Sequence, residues 1–472
     1  MKKSVKTLAA LLSAVILLAS SGCTPGKNAS DADVSATESS SSVKGGESTN
    51  EVNWITADDI SDMPETTIRY WYYETPERIQ LGEEQVQKFM EKYPNIKVTG
   101  SVAPDNTDNE MLMTYIQSRT NSNIHQSLNI EDLWYVDHNL LYPLNNFPDF
   151  EEVMKQFDPD LNYTWTDGNT YSISWYQSPY VFFYNKKILE EVGWDVSKLP
   201  ETYSEFYKLA EKVTDPAAKR WAIAPWMQDE WWRWESYVYP LYIAATGSGQ
   251  LVSDDGKTVC FNTENGVKSL EFWETIFGNG WAQKEIWDMD PFFMGQTACT
   301  RGNTENIKMA YSDAPEDFEY VVGPIPIPDG NTRGEYDTYT FVRNLCIIDE
   351  LGADEGEGRD RVRRASWEFL KFLLSEEQSA ADFDVTADLP CYDNLLENEA
   401  FQASFEKWGE DMIHTMEVGN HGTIGTINSS YACDIMDPLQ KAYLKVAYDG
   451  MSAADAMAWA EEEANNILQK GR

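Results

Sequence analysis

The stretch DGNTYSISWYQSPYVFFYNKKILEEVGW, residues 167–194, with LPETYSEFYKLAEKV at 199–213, carries the pattern that decides the fold. Residues 171–176 and 180–184 are rich in aromatic and β-branched side chains and read as two strands. A helix starts at Lys186, and Gly193 can supply the left-handed residue that ends it. Thr202 and Glu205 then form a capping box ahead of Phe206, Leu209, Ala210 and Val213, which share one helical face.

The same alternation extends outward. In IRYWYYETPERIQLGEEQVQKFMEKYPNIKVTGSV, residues 68–102, a strand at 68–73 leads through the candidate cap Thr75 and Pro76 into a helix marked by Ile79, Val86, Phe89 and Tyr93. Ile96, Val98 and Val102 then resume a period of two. Near the end, Ser452 and Asp455 cap a helix carrying Met457, Ala460, Ala464 and Ile467. Strands alternating with helices imply an α/β fold. At 472 residues the chain exceeds what one compact core organises, so two lobes are expected. SDDGK at 253–257 reads as a hairpin turn, and PIPIPDGNTRG at 324–334 as an extended crossing and loop.

The chain has 37 basic and 78 acidic residues and a net charge of −41, which argues against nucleic acid or a large anionic ligand. Lys2, Lys3 and Lys6, an apolar run at 8–18 and small residues before Cys23 form a secretory signal, shorter than a spanning helix. Gly22-Cys23 resembles a bacterial lipobox, with Ser20 where Leu is usual, so Cys23 is the expected acylation site and a membrane anchor. The Ser, Asp, Glu and Gly-rich segment that follows, to about residue 63, reads as a flexible tether. Cys260, Cys299, Cys346, Cys391 and Cys433 lack CxxC spacing and are expected to be mostly free thiols.

Catalytic motifs are scarce. The four histidines are scattered without zinc-ligand spacing, Leu251 stands where a phosphate loop needs glycine, and DPDLN at 158–162 lacks the glycine and closing glutamate of a calcium loop. No cofactor, metal or catalytic residue is expected. Two carboxylates beside aromatic platforms would suffice for a glycoside hydrolase, and so many acids leave that alternative open.

Taken in order, these segments resemble the extracellular solute-binding lipoproteins of ABC-type carbohydrate importers, the group that includes maltose-binding protein. YWYYETPERI and FMEKYPNIKVTG match its first strand, helix and "YPNIKV" strand. Residues 167–213 match "DGKxYxIP", "YNKxxxxxxG" and "PxTWxE", with Ser174 for proline and Tyr203 for tryptophan. FFMGQTACTRGN, FEYVVGPIPIPDG, SWEFLKFLLSEEQSA and YDGMSAADAMAWAEEEANNIL continue the series, so that the likeness spans nearly all of 67–468. The resemblance implies a two-lobed periplasmic-binding-protein-like fold of type II, with three hinge crossings and the ligand between lobes that close on it. It further implies a monomer that delivers its ligand to ABC importer permease subunits and performs no chemistry. The expected segments are a signal peptide at 1–22, a tether at 23–63, an N-terminal lobe at 64–173 and 338–412, and a C-terminal lobe at 174–337 and 413–472.

An oligosaccharide is the favoured ligand, with a polyamine or peptide as alternatives, because sugars stack their C–H faces on rings and bond their hydroxyls to carboxylates, amides and arginine. Strand ends nominate Tyr73, Glu74, Asn129, Glu131 and Trp134. Trp175 and Tyr176 follow the first hinge strand, where plain packing is an equal reading, and the family pattern adds Arg301, Asn428 and Tyr431. Tyr339 and Arg343 are assigned structural roles. In WMQDEWWRWESYVY, residues 226–239, the candidates are Trp226, Trp231, Trp232 and Trp234. A helix from Glu230 puts Trp231, Trp234 and Val238 on one face, which would leave Trp226 and Trp232 as ligand platforms.

Overall fold

The strands are β1 (Thr66–Tyr72), β2 (Ile96–Val102), β3 (Ile124–Leu128), β4 (Ser172–Pro179), β5 (Val181–Asn185), β6 (Trp221–Ile223), β7 (Thr297–Gly302), β8 (Tyr320–Gly323), β9 (Thr338–Ile347), β10 (Leu389–Pro390) and β11 (Gly422–Thr423). They were located in a computed structural model that describes residues 52–471 except 73–74, 105–108, 287–289, 313, 316, 350–356 and 426–427. Cys23, the expected signal peptide and most of the expected tether fall outside these residues, as do Tyr73 and Glu74.

Two mixed sheets result. The larger has the order β10-β4-β9-β3-β1-β2, with β11 beside β9, and the smaller has the order β6-β7-β5-β8. β1 runs parallel to β2 and β3, while β9 is antiparallel to β3 and β4. The chain leaves the larger sheet after Pro179, enters the smaller at Val181 and returns to the larger at Thr338. It later joins the smaller-sheet side again, where the helix Ala432–Asp449 packs on the helices Trp231–Tyr237 and Glu264–Gly278.

The first and second crossings are tied to each other. Tyr180 N donates to Tyr339 O at 3.0 Å, and Thr338 Oγ1 donates to Tyr180 O at 2.5 Å. PIPIP itself does not cross: Ile327 exchanges backbone hydrogen bonds with Glu201 and Tyr203 at the start of the Tyr203–Val213 helix. Prolines carry no N–H to donate, so the pairing at this helix start runs through Ile327, and the return to the larger sheet comes after the following loop, at Thr338.

Local sequence signals largely become local structure. Thr202 and Glu205 form the capping box, Ser452 accepts from Asp455 N, and Gly193 takes φ 68°. Val252 bridges Val259 around the SDDGK turn. Thr75 is an exception: its side chain makes no capping bond, and Pro76 opens the helix Pro76–Lys92.

Residues 54–63, expected as tether, belong to the folded unit. Trp54, Ile55, Ile60 and Met63 are buried against the larger-sheet core, Asn95 Nδ2 donates to Ile60 O and Met63 O, and Arg364 donates to Ile55 O. Burying each such side chain is worth about 1.5–3 kcal/mol and, with the hydrogen bonds to Asn95 and Arg364, offsets the entropy of ordering the segment.

A buried charge network braces the inner face between the sheets. Arg78 donates to Asp382 at 3.0 and 3.2 Å and to Asp388 at 2.6 Å. Asp388 also accepts from Thr304 Oγ1 at 3.1 Å, and Thr304 pairs with Ser178 of β4. Burial pushes the Asp382 carboxyl up to about 6 despite Arg78 beside it. Arg78→Ala is expected to cost about 3–5 kcal/mol at neutral pH in urea unfolding, because it strands a buried carboxylate. That deficit should shrink at acidic pH, where Asp382 takes up a proton. Trp234→Ala, at a fully buried indole packed on Tyr239 and Tyr242, is expected to lose about 3–5 kcal/mol in the same measurement.

Candidate functional site

The aromatic stretch folds into a helix, Trp231–Tyr237, preceded by extended chain. Its indoles divide as a helical wheel requires. Trp234 and Val238 are in the core, Trp231 is half-buried against it, and Trp232 points outward at 38% exposure.

Around Trp232 rings and guanidinium groups form one continuous series of contacts. Arg233 Cζ lies 3.6 Å from the Trp232 ring centre and 4.4 Å from that of Trp226. Trp226 packs on Tyr237 at 5.2 Å, and Arg301 sits 4.4 Å from both the Tyr237 and Tyr180 rings. Arg301 Nη2 also donates to Tyr237 Oη at 2.8 Å, and Glu230 holds Arg233 from outside at 3.2 Å. Cation–π contacts are strongest where water is excluded, so this order of residues holds flat faces in fixed orientation while keeping polar atoms among them. The stack runs from exposed Trp232 to Tyr180, the residue that joins the two sheets.

Several buried polar atoms here have no hydrogen-bond partner among the described residues: Trp226 Nε1 and Arg301 Nε as donors, and Gln228 Oε1, Asn129 Oδ1 and Asn428 Oδ1 as acceptors. Buried groups of this kind are normally paired, and leaving one unpaired costs about 1–3 kcal/mol. A mixture of donors and acceptors suits a ligand with many hydroxyls.

The other nominated residues distribute unevenly. Asn129 begins the helix Asn129–Asp137 and donates to Ile424 O, and Glu131 turns back to accept from Leu128 N at 3.0 Å. Burial raises the Glu131 carboxyl and pushes neighbouring Asp132, which accepts from Ser172 and Asn344, up to about 6. Asn428 fixes the Val252 and Ser253 carbonyls and lines a narrow crevice with Ile130, Tyr239 and Ser429. Trp134 is stacked on His138 of its own helix at 3.9 Å. Trp175 and Tyr176 are buried with Arg78 over their rings at 5.0 and 4.4 Å. Tyr431 donates to Gly471 O at 2.7 Å and so is engaged with the last helix.

Sequence reasoning missed Arg233, Tyr237 and Tyr180 as members of the stack, and Glu235 as a buried acid. The alternation of charge and ring between 226 and 239 was the available signal for Arg233. Glu235, a charge set between these rings in sequence, is 2% exposed and accepts from Tyr339 Oη at 2.8 Å. Tyr180 and Arg301 join the stack across long sequence separations that no local pattern encodes.

Among the described residues no helix is long and apolar enough to cross a membrane, and no group of acids, histidines and cysteines could hold a metal ion. Residues 84–407 match the family described as bacterial extracellular solute-binding protein. The arabinooligosaccharide-binding protein of Halalkalibacterium halodurans is 23% identical over 225 residues, 46% of this chain. The match spans 47% of that relative, about half its length. The fold matches that of the cyclic alpha-maltosyl-1,6-maltose binding protein of Arthrobacter globiformis, with TM-score 0.72 and 18% identity over 86% of this chain and 100% of that one. The sugar-binding protein MalE of Xanthomonas citri gives 0.69 and 19% over 86% and 98%. With two mixed sheets, repeated crossings between them and a match over most of its folded length, the chain has the two-lobed type II binding-protein fold and belongs to the bacterial extracellular solute-binding protein family.

Proposed function

We propose that this protein is an extracellular receptor that captures a carbohydrate, an oligosaccharide, between its two lobes and delivers it to the permease of an ABC importer, without chemistry of its own. The stack from Trp232 to Tyr180 carries this reading. Its outer end offers the indoles of exposed Trp232 and half-buried Trp226, and its arginines and neighbouring amides suit the hydroxyl fringe of a sugar. The sugar-binding relatives support it, and an arabinooligosaccharide or maltooligosaccharide is the first ligand class to test.

Within this reading Trp226, Trp232 and Arg301 contact ligand first, with Asn129, Glu131 and Asn428 across the opening. Tyr73 and Glu74 remain candidates by their position after β1. Trp231 and Trp234 become supports, and Trp134, Trp175, Tyr176 and Tyr431 serve packing unless opening frees their faces. The lobes comprise 64–173 with 338–412 and 174–337 with 413–472, except that β4 stays in the larger sheet as far as Pro179 and β11 pairs with β9 of that sheet. The protein acts as a monomer, and Cys23, carrying a diacylglycerol and a further acyl chain such as palmitate, leashes it to the outer face of the cytoplasmic membrane.

Titration calorimetry and thermal shift of the mature protein against a panel of oligosaccharides test the reading, with product analysis alongside. Binding raises the melting temperature and leaves the sugar intact. Turnover would establish a glycoside hydrolase instead, and silence toward every carbohydrate would overturn the sugar assignment. For a sugar that binds, Trp232→Ala is expected to weaken affinity roughly threefold to tenfold, while stability changes by no more than about 0.5 kcal/mol.

A further inference from the structure

Glu235 is a carboxylate with no place in an ordinary aromatic wall. It sits on the Trp231–Tyr237 helix between Trp234 and Ser236, in the smaller-sheet half, and is 2% exposed. Its Oε1 accepts from Tyr339 of β9 at 2.8 Å, and Ser236 Oγ lies 3.4 Å from Oε2. Tyr339 in turn packs on Tyr180 at 5.8 Å and Tyr239 at 5.0 Å. The groups that face Glu235 electrostatically are Tyr339 and Arg343 from β9, Glu131 from the helix after β3, Tyr180 from the first crossing, and Cys433 from the Ala432–Asp449 helix. Most come from the opposite sheet, so separating the lobes would return water to this carboxyl.

We propose that Glu235 is a positioning residue for ligand capture, fixing the stacked wall to the second crossing through Tyr339, and that its burial when the lobes close makes capture weaken as pH rises. The proposal rests on the reading of the stack as the ligand wall. Burial lifts the carboxyl from 4.5 to about 7, against the opposing pull of Tyr339 and Arg343. The form that buries Glu235 therefore holds a proton that an opened, rehydrated carboxyl gives up. Closure is favoured at low pH and loses that advantage as pH rises from 4.5 through about 7.

The test is calorimetric affinity for one bound oligosaccharide from pH 5.5 to 8.5, in wild type, Glu235→Gln and Tyr339→Phe, with circular dichroism to establish folding. Wild-type affinity should fall on the order of tenfold between pH 6 and 8. E235Q should flatten that fall and keep the tighter value at pH 8. Y339F removes a donor to the ionised form and should move the midpoint upward. Asp132 titrates in wild type and E235Q alike and cancels between them. Parallel profiles in wild type and E235Q, or a flat wild-type profile, overturn the inference alone. Failure of wild type to bind any sugar at any pH overturns the reading of the site beneath it.

Discussion

The backbone tie between Tyr180 and residues 338–339 is the constraint on which the rest of the molecule depends. Tyr180 is the single residue between β4 and β5, and its N–H and C=O are both spent on the start of β9. Two chain crossings are thereby fastened at one point, and each sheet continues from it in a different direction. Buried backbone groups must be paired, so this junction cannot shift without losing bonds that water does not easily replace. The Tyr180 side chain at the same point ends the stack, which places the candidate wall directly on the junction between the sheets.

The stack resolves a problem posed by composition. Arginine placed among four tryptophans and two tyrosines looks like an interruption of a core, but a guanidinium is planar and weakly hydrated and lies flat on rings. Arg233 and Arg301 therefore sit over ring faces as part of the packing. Arg78 does the same over Trp175 and Tyr176, with Asp382 and Asp388 balancing its charge. The two aromatic groups differ in consequence. One is sealed by an internal ion pair, while the other retains unpartnered donors and acceptors and an exposed indole.

Much of the fold was readable because it rests on short-range rules. Gly193 could end a helix because glycine tolerates φ 68°, and the Thr202–Glu205 box fixed a helix start in four residues. The helical wheel from Glu230 separated buried Trp234 from exposed Trp232 for the same reason. Docking of 54–63 was unreadable: Trp54, Ile55, Ile60 and Met63 are too sparse to show a period and gain meaning only from the surface they meet. Tyr431 was assigned from a family pattern, yet its hydroxyl finds a carbonyl forty residues away.

Periodicity, caps and composition act within a few residues, and they sufficed for the alternating strands and helices, the two-lobed class and the concentration of aromatic rings at 226–239. Only the tertiary structure decided which rings stack with which cations, that Arg78 covers Trp175 and Tyr176, and that Glu235 is buried against Tyr339. Those outcomes depend on burial and on partners more than fifty residues apart, such as Arg301 with Tyr237 and Glu235 with Tyr339. Desolvation and long-range pairing exist only once the sheets have been brought together.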